Sequence, residues 1–397
     1  MNLKKQKFFL SLHEALRGFR VAGAIWVVLL FSRGFSLADV GVAEAVFHAV
    51  SFLCEVPSGM LADLLGRRRT LIAAGLITAL SGGVMALSGA LPGVCLAMGL
   101  EALGFNLGSG TLEAITYDSL VQAGDPGDYP QWDSRQYACY ACAQALASLG
   151  SFITVKVGFA GAYLAAGAIG LALAFVSFRL VEPVATQAQA ARAKFPLRAL
   201  PRRLWAHTRE NLGFLARRPR LAAKMLCISF VSACGYLMQM FFQQHVVNIG
   251  LPAVLVGVPL FALMLLDMAG ALLAPRLPGR LHTLFARFGL PLAGCIALAG
   301  LPALPFSIGA ACAAMLLGTA FLVRASSLLQ PYYPSDSRAT LTSVESMVYS
   351  FCMVLLSPLA GLVANRTGTG PCLVGVGAGL AAAVAVLLFY LRKEHIS

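Results

Sequence analysis

The chain is poor in charged residues, which make up 12% of its 397 amino acids, whereas hydrophobic residues make up 58%. Soluble domains carry about 25% charged residues. A mean hydropathy of +0.78 also excludes an ordinary water-soluble protein. The apolar runs are long and unbroken. They exclude membrane-spanning strands, which alternate apolar and polar residues over segments of about ten. The composition therefore predicts a chain of membrane-spanning helices.

Sequence patterns of enzymes are also missing. The chain contains no HExxH, no G-x-S-x-G and no P-loop, and so no ATP-hydrolysing module of its own. Its ten cysteines are scattered through apolar stretches, and Cys139 and Cys142 form a CxxC that no second pair accompanies. A structural zinc site needs four such ligands. We interpret the cysteines as small packing residues and predict no enzymatic activity, no metal and no cofactor.

Acidic residues are scarcer than basic ones, 17 against 30, which gives a net charge of +13. In a soluble protein this excess would indicate a nucleic-acid partner, but membrane proteins concentrate Lys and Arg on cytoplasmic loops. We therefore predict a monomer in a lipid bilayer and no nucleic acid. The first twenty residues are basic and amphipathic, and no small-residue cleavage site follows them. They are interpreted as a retained cytoplasmic segment.

Twelve apolar segments approach the roughly 20 residues that a spanning helix needs. The predicted helices are 20–38, 42–63, 70–90, 93–120, 136–156, 160–181, 222–246, 252–274, 285–304, 306–329, 340–363 and 370–391. They predict an all-α membrane protein of two six-helix bundles. The predicted division is an N-terminal bundle at 1–181, a basic cytoplasmic linker at 182–221 and a C-terminal bundle at 222–397.

The distribution of basic residues predicts the orientation. With the N-terminus inside, Lys156 and Arg366 are the basic residues of the external loops, and Arg33 and Arg324 lie within helices. All other Lys and Arg residues fall on the cytoplasmic side, as the positive-inside rule requires. We therefore predict a multi-pass protein of the cell inner membrane with both termini in the cytoplasm.

The strongest local pattern, GMLADLLGRRR, begins at Gly59 between predicted helices two and three. Gly59 permits another helix to approach closely, and Gly66 permits a tight turn. Asp63 can accept hydrogen bonds from the arginines or from a helix N-terminus. Arg67 and Arg68 anchor the loop on the inner face. The pattern resembles the loop signature G-x-L-A-D-x-x-G-R-R of the major facilitator superfamily.

Other segments extend this resemblance over nearly the whole chain. EVPSG from Glu55 is similar to the E-[IV]-P-[TS]-G segment of one branch of the superfamily. The segment from Gly110 to Leu120 resembles that branch's fourth helix, and Arg338 opens helix eleven in a similar way. The resemblance implies two six-helix bundles around a central cavity, with alternating access by rocking.

Three departures from the family pattern bear on coupling. Helix five lacks the Gly-Pro signature of many drug exporters, and helix four lacks the arginine of many proton-coupled exporters. The second-half loop, from Gly270 to Arg280, has no Asp. Membership therefore does not by itself imply proton antiport.

Polar residues within the apolar segments are the candidates for substrate binding, because charge inside a bilayer is expensive. The resemblance implies that helices one, four, seven and ten line the cavity, and helical spacing places the candidates of each helix on one face. The predicted cavity residues are Trp26, Arg33, Asn106, Glu113, Tyr117, Tyr236, Gln239, Gln243 and Arg324. The proton-coupling candidates are Glu113, Glu101 and Asp267.

Structural roles are open for several of these residues. Arg33 can lie at the outer headgroup level, and Glu113 can be a structural partner for Arg324 or a nearby helix. Asp267 is more often structural than functional in such a position. His245 lies near a predicted helix end, where exposure to solvent is the simpler interpretation.

These patterns predict a secondary active transporter of a small solute, with protons as a candidate coupling ion. A cavity of Trp, Tyr, Met and carboxylates favours an exporter of amphipathic compounds. The alternative is an importer or facilitator of a small polar or anionic solute, which Arg33 and Arg324 favour. A non-transporting membrane receptor is a third possibility, but it needs no intramembrane charges.

Overall fold

The computed structural model describes residues 2–183, 216–329 and 338–392, together with residues 209 and 213. Within these ranges the chain is helical and contains no strand. The helices are α1 Leu3–Gly18, α2 Trp26–Ser32, α3 Leu37–Leu65, α4 Arg67–Leu87, α5 Leu91–Ala123, α6 Tyr129–Leu149, α7 Ser151–Arg179, α8 Pro219–Asn248, α9 Gly257–Leu273, α10 Leu281–Leu298, α11 Leu304–Leu329, α12 Arg338–Thr367 and α13 Thr369–Arg392. Short 3-10 turns lie at Gly23–Ile25, Pro126–Asp128, Ala253–Leu255 and Ala274–Arg276.

The predicted helical membrane architecture is confirmed. Among the described residues, eleven helical segments are long and apolar enough to cross a membrane, and α1 with α2 counts as one of them. The helix α6 is not among these eleven, although it has 21 residues. Its first half carries Asp133 and Arg135 between glutamines, which lowers its hydropathy. With α6 included, the helices match a twelve-helix architecture. Most of the predicted linker, 182–221, lies outside the described residues.

The predicted first helix, 20–38, is wrong. The helix begins at Leu3, breaks after Gly18, and resumes as α2 at Trp26. The sequence predicts a cytoplasmic N-terminal segment because its first twenty residues are basic and amphipathic and no cleavage site follows them. Three of its polar side chains, including Gln6 and Glu14, are nevertheless buried, so they face neighbouring helices.

Helices five and six also begin earlier than predicted. The predicted spans 136–156 and 160–181 correspond to α6 and α7, which meet at Gly150. Pro130 in the first turn of α6 is compatible with a helix start, because a proline there loses no internal hydrogen bond. The apolar pattern placed these helices too late because the first turns of α6 are polar.

Two helices contain non-helical residues within the span. The helix α5 has a non-helical backbone at Ser109, with φ −51° and ψ −109°. The helix α7 has one at Gly158, with φ +74°. A further irregularity lies in α10, where Phe285–Gly289 form a π-helical turn. The break at Ser109 matters most for the candidate site, because it divides the predicted polar face of α5.

The chain forms two compact units. Unit 1 contains Met1–Ala24 and Val46–Glu210. Its helices α4 and α7 pack closely, and a Cβ atom at Gly170 would lie 2.4 Å from the backbone nitrogen of Ala79. This approach requires glycine.

Unit 2 contains Ile25–Ala45 and Asn211–Ser397, so it holds segments from both halves of the sequence. The start of α3 lies directly on α12 in this unit. A Cβ atom at Gly41 would lie 2.4 Å from the carbonyl oxygen of Ser357. Deeper in the unit, Phe285 and Phe321 are fully buried and pack edge to face, with ring centroids 4.8 Å apart.

Candidate functional site

The loop between α3 and α4 is tied down through the N-terminus of α4. Gly66 turns the chain with φ +90°, and α4 begins at Arg67. The carboxylate of Glu182 accepts the backbone N–H groups of Arg67 at 2.8 Å and of Arg68 at 2.7 Å. An anion at a helix N-terminus satisfies free donors and complements the helix dipole. Glu182 therefore caps α4 from the end of α7.

The arginine side chains of this loop reach two other helices of unit 1. Arg67 forms an ion pair with Asp118 of α5 and also donates to the carbonyl oxygen of Ala114. Asp118 is only 7% exposed, so this pair is largely shielded from water. Arg68 donates to the backbone carbonyl oxygen of Phe178. Its guanidinium also lies 4.9 Å from the centroid of the Phe178 ring. The loop is thus braced against both α5 and α7.

The loop signature that begins at Gly59, which we predict to gate transport, is only partly visible in these contacts. Gly66, Arg67 and Arg68 make the turn and the braces, and Asp63 is exposed one turn earlier. The predicted close approach at Gly59 is wrong for the described residues, because a Cβ atom there would meet no heavy atom within 4 Å. Gly59 is exposed, so the packing of unit 1 does not require a glycine at this position.

Sequence reasoning missed Glu182 and Asp118. Asp118 lay inside the segment that resembled the family's fourth helix, but it was given no role. Glu182 was counted with the linker. The available signal was its position directly after an apolar helix, next to Pro183. Only the fold shows that the end of α7 lies at the start of α4.

The corresponding loop of unit 2 is held differently. Arg324 of α11 donates from its Nε to the carbonyl oxygen of Pro278, at 3.2 Å. Asp267 of α9 accepts a hydrogen bond from the hydroxyl of Thr319. Both predicted site residues therefore connect α11 to α9 or to the loop that follows it. Both contacts hold the helices of unit 2 together.

The predicted polar face of α5 is divided at Ser109. On one side, Asn106 is buried, accepts from the hydroxyl of Ser51 at 3.1 Å and donates to the Ser51 carbonyl at 3.2 Å. On the other side, Glu113 and Tyr117 are exposed. The face that helical spacing predicts is therefore two different environments, one a satisfied internal contact and the other an open surface.

An aromatic pair lies beside the exposed part of α5. Tyr117 packs edge to face on Tyr129 of α6, with ring centroids 5.3 Å apart. Glu113 lies close enough to Tyr129 to interact with it electrostatically. The three residues form a surface in unit 1 that combines a carboxylate with two phenol rings, and we call it the aromatic–acidic face.

The helices α2 and α8 meet in unit 2. Trp26 is 8% exposed and opens α2, and the side chain of Gln243 accepts the N–H of Val27 at 3.3 Å. This bond satisfies one of the free donors in the first turn of α2. At the other end of α2, Arg33 is exposed. Trp26 and Arg33 thus lie in different environments.

The remaining predicted residues are placed as follows. Tyr236 and Gln239 of α8 are partly exposed. Glu101 of α5 forms an ion pair with Arg20 at 3.2 Å, beside the break in the first helix. The exposure predicted for His245 is wrong. It is 3% exposed, with Nδ1 3.0 Å from the Thr369 hydroxyl and Nε2 3.1 Å from the Leu301 carbonyl.

Comparison with known proteins shows the family. The sequence profile of the Major Facilitator Superfamily matches residues 15–347, and the chain therefore belongs to this superfamily. No curated protein matches the chain. The membership and the twelve-helix fold implied by the loop pattern are confirmed. The chain is therefore a membrane transporter of that superfamily.

Several solved structures share the fold. The nucleoside transporter NupG matches with a TM-score of 0.73 and 15% identity, over 98% of this chain and 99% of that one. A bacterial homolog of the human lysosomal transporter Spinster matches at 0.75 and 14%, over 99% and 96%. The D-xylose-proton symporter matches at 0.73 and 13%, over 97% of both chains. Identities this low show the fold alone.

Proposed function

We propose that the protein is a secondary active transporter that exports amphipathic compounds across the inner membrane by alternating access. The proposal keeps both termini in the cytoplasm, the bundles 1–181 and 222–397, and 182–221 as their linker. It also keeps the chain in the branch with E-[IV]-P-[TS]-G before the loop. The distribution of basic residues supports the orientation.

The aromatic–acidic face is the observation that favours export of amphipathic compounds. Tyr117 and Tyr129 offer ring surface to an apolar group, and Glu113 offers a negative charge to a cationic one. Rings with a nearby carboxylate suit solutes that join an apolar body to a positive group, because aromatic faces attract cations. Such a surface can bind a solute with few directional hydrogen bonds, and it can therefore accept a range of substrates.

Transport of a cationic amphipathic dye in everted membrane vesicles tests this proposal. We expect vesicles that contain the protein to accumulate rhodamine 6G when energised, and Tyr117→Ala to lose most of this uptake. Tyr117→Phe is the matched control, because it keeps the ring, and it should retain uptake. Equal dye uptake with and without the protein would contradict export of such compounds.

An importer or facilitator of a small polar solute is the second candidate. NupG and the D-xylose-proton symporter share the fold, and their names give nucleosides and xylose as substrates. An anionic solute has less support here, because Arg324 already donates to the Pro278 carbonyl. Drug sensitivity of a deletion strain, compared with its growth on single solutes, separates the two directions. A receptor would show neither phenotype, nor any flux in proteoliposomes.

Coupling to protons is proposed at Glu113. The carboxylate is exposed on the aromatic–acidic face, where a solute and a proton can compete for it. Glu113→Gln keeps the shape and removes the titration, so gradient-driven accumulation should be lost while solute exchange remains. Uphill transport that survives this change would move the proposal to Glu101 or Asp267.

A further inference from the structure

Unit 2 contains a small cavity whose wall carries several hydroxyl groups and a carboxyl group, and no sequence pattern indicated it. Its volume is about 220 Å³, and it lies between α8, α11 and α12. The apolar part of its wall is Ile228 and Leu322. The polar part consists of Ser229, Ser232, Ser326, Glu345, Ser346 and Tyr349. Glu345 is the charged residue among these lining residues, so the cavity is acidic.

One hydroxyl in this wall has no partner among the described residues. Ser229 is 2% exposed, and its Oγ is buried without a hydrogen bond. A buried polar group without a partner is unfavourable, and it often marks a place for a bound group. Ser229 lies on α8, opposite the residues that α12 contributes. The unpartnered oxygen is therefore part of the cavity wall rather than an isolated core atom.

The carboxylate of the cavity is arranged as a hydrogen-bond acceptor. Glu345 accepts from the hydroxyl of Ser326 at 3.3 Å. It lies within the candidate membrane span Ser343–Thr367, where an acidic residue is expensive and is expected to have a function. A hydroxyl that donates to Glu345 still has lone pairs with which to accept a hydrogen bond. The wall thus presents one negative charge and several acceptor oxygens.

We propose that this cavity binds the primary ammonium group of an amphipathic amine. The three N–H donors of a primary ammonium match the carboxylate of Glu345 and the hydroxyl oxygens of Ser229 and its neighbours. Ile228 and Leu322 then contact the carbon attached to the nitrogen. This inference rests on the proposed transport of amphipathic compounds and adds to the aromatic–acidic face of unit 1 a second position, in unit 2, that binds the ammonium group of an amine.

Thermal unfolding of the purified full-length protein, measured at increasing ligand concentration, tests the inference. The probe is 2-phenylethylamine, which is protonated at neutral pH, and its matched neutral control is 2-phenylethanol. We expect the amine to raise the unfolding temperature in a saturable manner and the alcohol to leave it unchanged. The N,N,N-trimethyl derivative keeps the charge but has no N–H donor, and it should bind more weakly.

Two variants connect binding to the cavity. Glu345→Gln should raise the dissociation constant of 2-phenylethylamine about tenfold to a hundredfold, the loss expected for a charge-assisted hydrogen bond. Ser229→Ala should weaken binding by a smaller factor. Ser357→Ala is the matched control, because Ser357 is also buried but bonds within its own helix to the Met353 carbonyl. Asp39→Asn removes an acid of unit 2 outside the cavity, and it should bind as the wild type does.

The outcomes separate this inference from the proposed function. No shift with the amine, an equal shift with the alcohol, or unchanged affinity in Glu345→Gln would overturn the inference. Dye transport could still be observed in each of these cases. Conversely, the protein could bind the amine selectively, in a manner that depends on Glu345, and yet move no solute in vesicles. That result would support the amine-binding cavity and contradict the proposed transport function.

Discussion

The two loops that follow α3 and α9 occupy corresponding places in the two halves of the sequence. Their arrangements of charge are opposite. Shifting the sequence by 212 residues pairs Glu55 with Asp267, and the same shift puts Pro278 of the second loop opposite Gly66 of the first. In the first loop the cation lies on the loop and its acidic partner on α5. In the second loop the cation, Arg324, lies on α11 and its acceptor is a loop carbonyl.

The difference indicates which loop has the stronger brace. The Arg67–Asp118 pair joins two opposite charges whose side chains are 14% and 10% exposed, and Glu182 adds a cap on α4. The Arg324 contact joins one charge to a neutral carbonyl. Weakly solvated ion pairs are sensitive to the loss of either partner. We therefore expect the first loop to dominate conformational control, and four experiments examine this comparison.

The largest effect on transport is expected at Asp63, which has no acidic counterpart in the second loop. Asp63→Asn should abolish most transport while the protein remains inserted, because the lost charge no longer holds the loop in one conformation. Dye uptake in vesicles measures the loss, and detergent extraction with size-exclusion chromatography checks that folded protein remains. Wild-type uptake in this variant would remove Asp63 from the gating pattern.

The largest effect on stability is expected at Asp118. Asp118→Asn leaves the guanidinium of Arg67 largely buried without its counter-charge, at an expected loss of about 3–5 kcal/mol. Thermal unfolding in detergent measures this loss. The double variant Arg67→Met with Asp118→Leu should recover part of it, because neither charge is then left alone. A double variant less stable than both single ones would contradict a dominant pair interaction.

A smaller effect is expected in the second loop. Arg324→Gln removes one charged donor to the Pro278 carbonyl, so the expected loss of stability is about 1.5–3 kcal/mol. The same unfolding assay measures it. If this variant is destabilised more than Asp118→Asn, the ranking of the two loops is reversed and the comparison fails.

The smallest of the four effects is expected at the cap. Glu182→Gln weakens two hydrogen bonds to the N-terminus of α4, at an expected loss of about 1 kcal/mol. Asp128→Asn is the control, because its pair with Lys7 spans 3.7 Å and Asp128 is exposed. Such pairs contribute little, about 0–1 kcal/mol. Equal unfolding temperatures for the two variants would show that Glu182 contributes no more than a surface charge.

The sequence allowed the architecture to be predicted because spanning helices need long apolar runs, and these runs are visible without a structure. The boundaries failed where polar residues are buried against other helices. Gln6 and Glu14 lie in a helix whose basic, amphipathic pattern assigned it to the cytoplasm, and Gln136 is buried in the polar first half of α6. Hydropathy measures transfer into lipid, whereas these side chains face protein.

Site residues were harder to predict than helices. The arginines of the loop were found because their spacing matches a family pattern, but their partners Asp118 and Glu182 lie on other helices. The sequence did not indicate the acidic cavity, because Glu345 lies on α12, whereas the family resemblance implies that helices one, four, seven and ten line the cavity. Asn106 shows the opposite error. It was predicted to face the substrate cavity, but its side chain is hydrogen-bonded to Ser51 inside unit 1.

The polar side of α1 constrains how the protein is assembled during synthesis. Gln6 donates to the hydroxyl of Ser119, 113 residues further along the chain, and to the carbonyl of Val181, 175 residues further. Neither partner exists when α1 leaves the ribosome. A buried amide without partners is unfavourable in lipid, so α1 reaches its final position only after α5 and α7 have been inserted. The helix α1 therefore depends for its final position on helices that are translated after it.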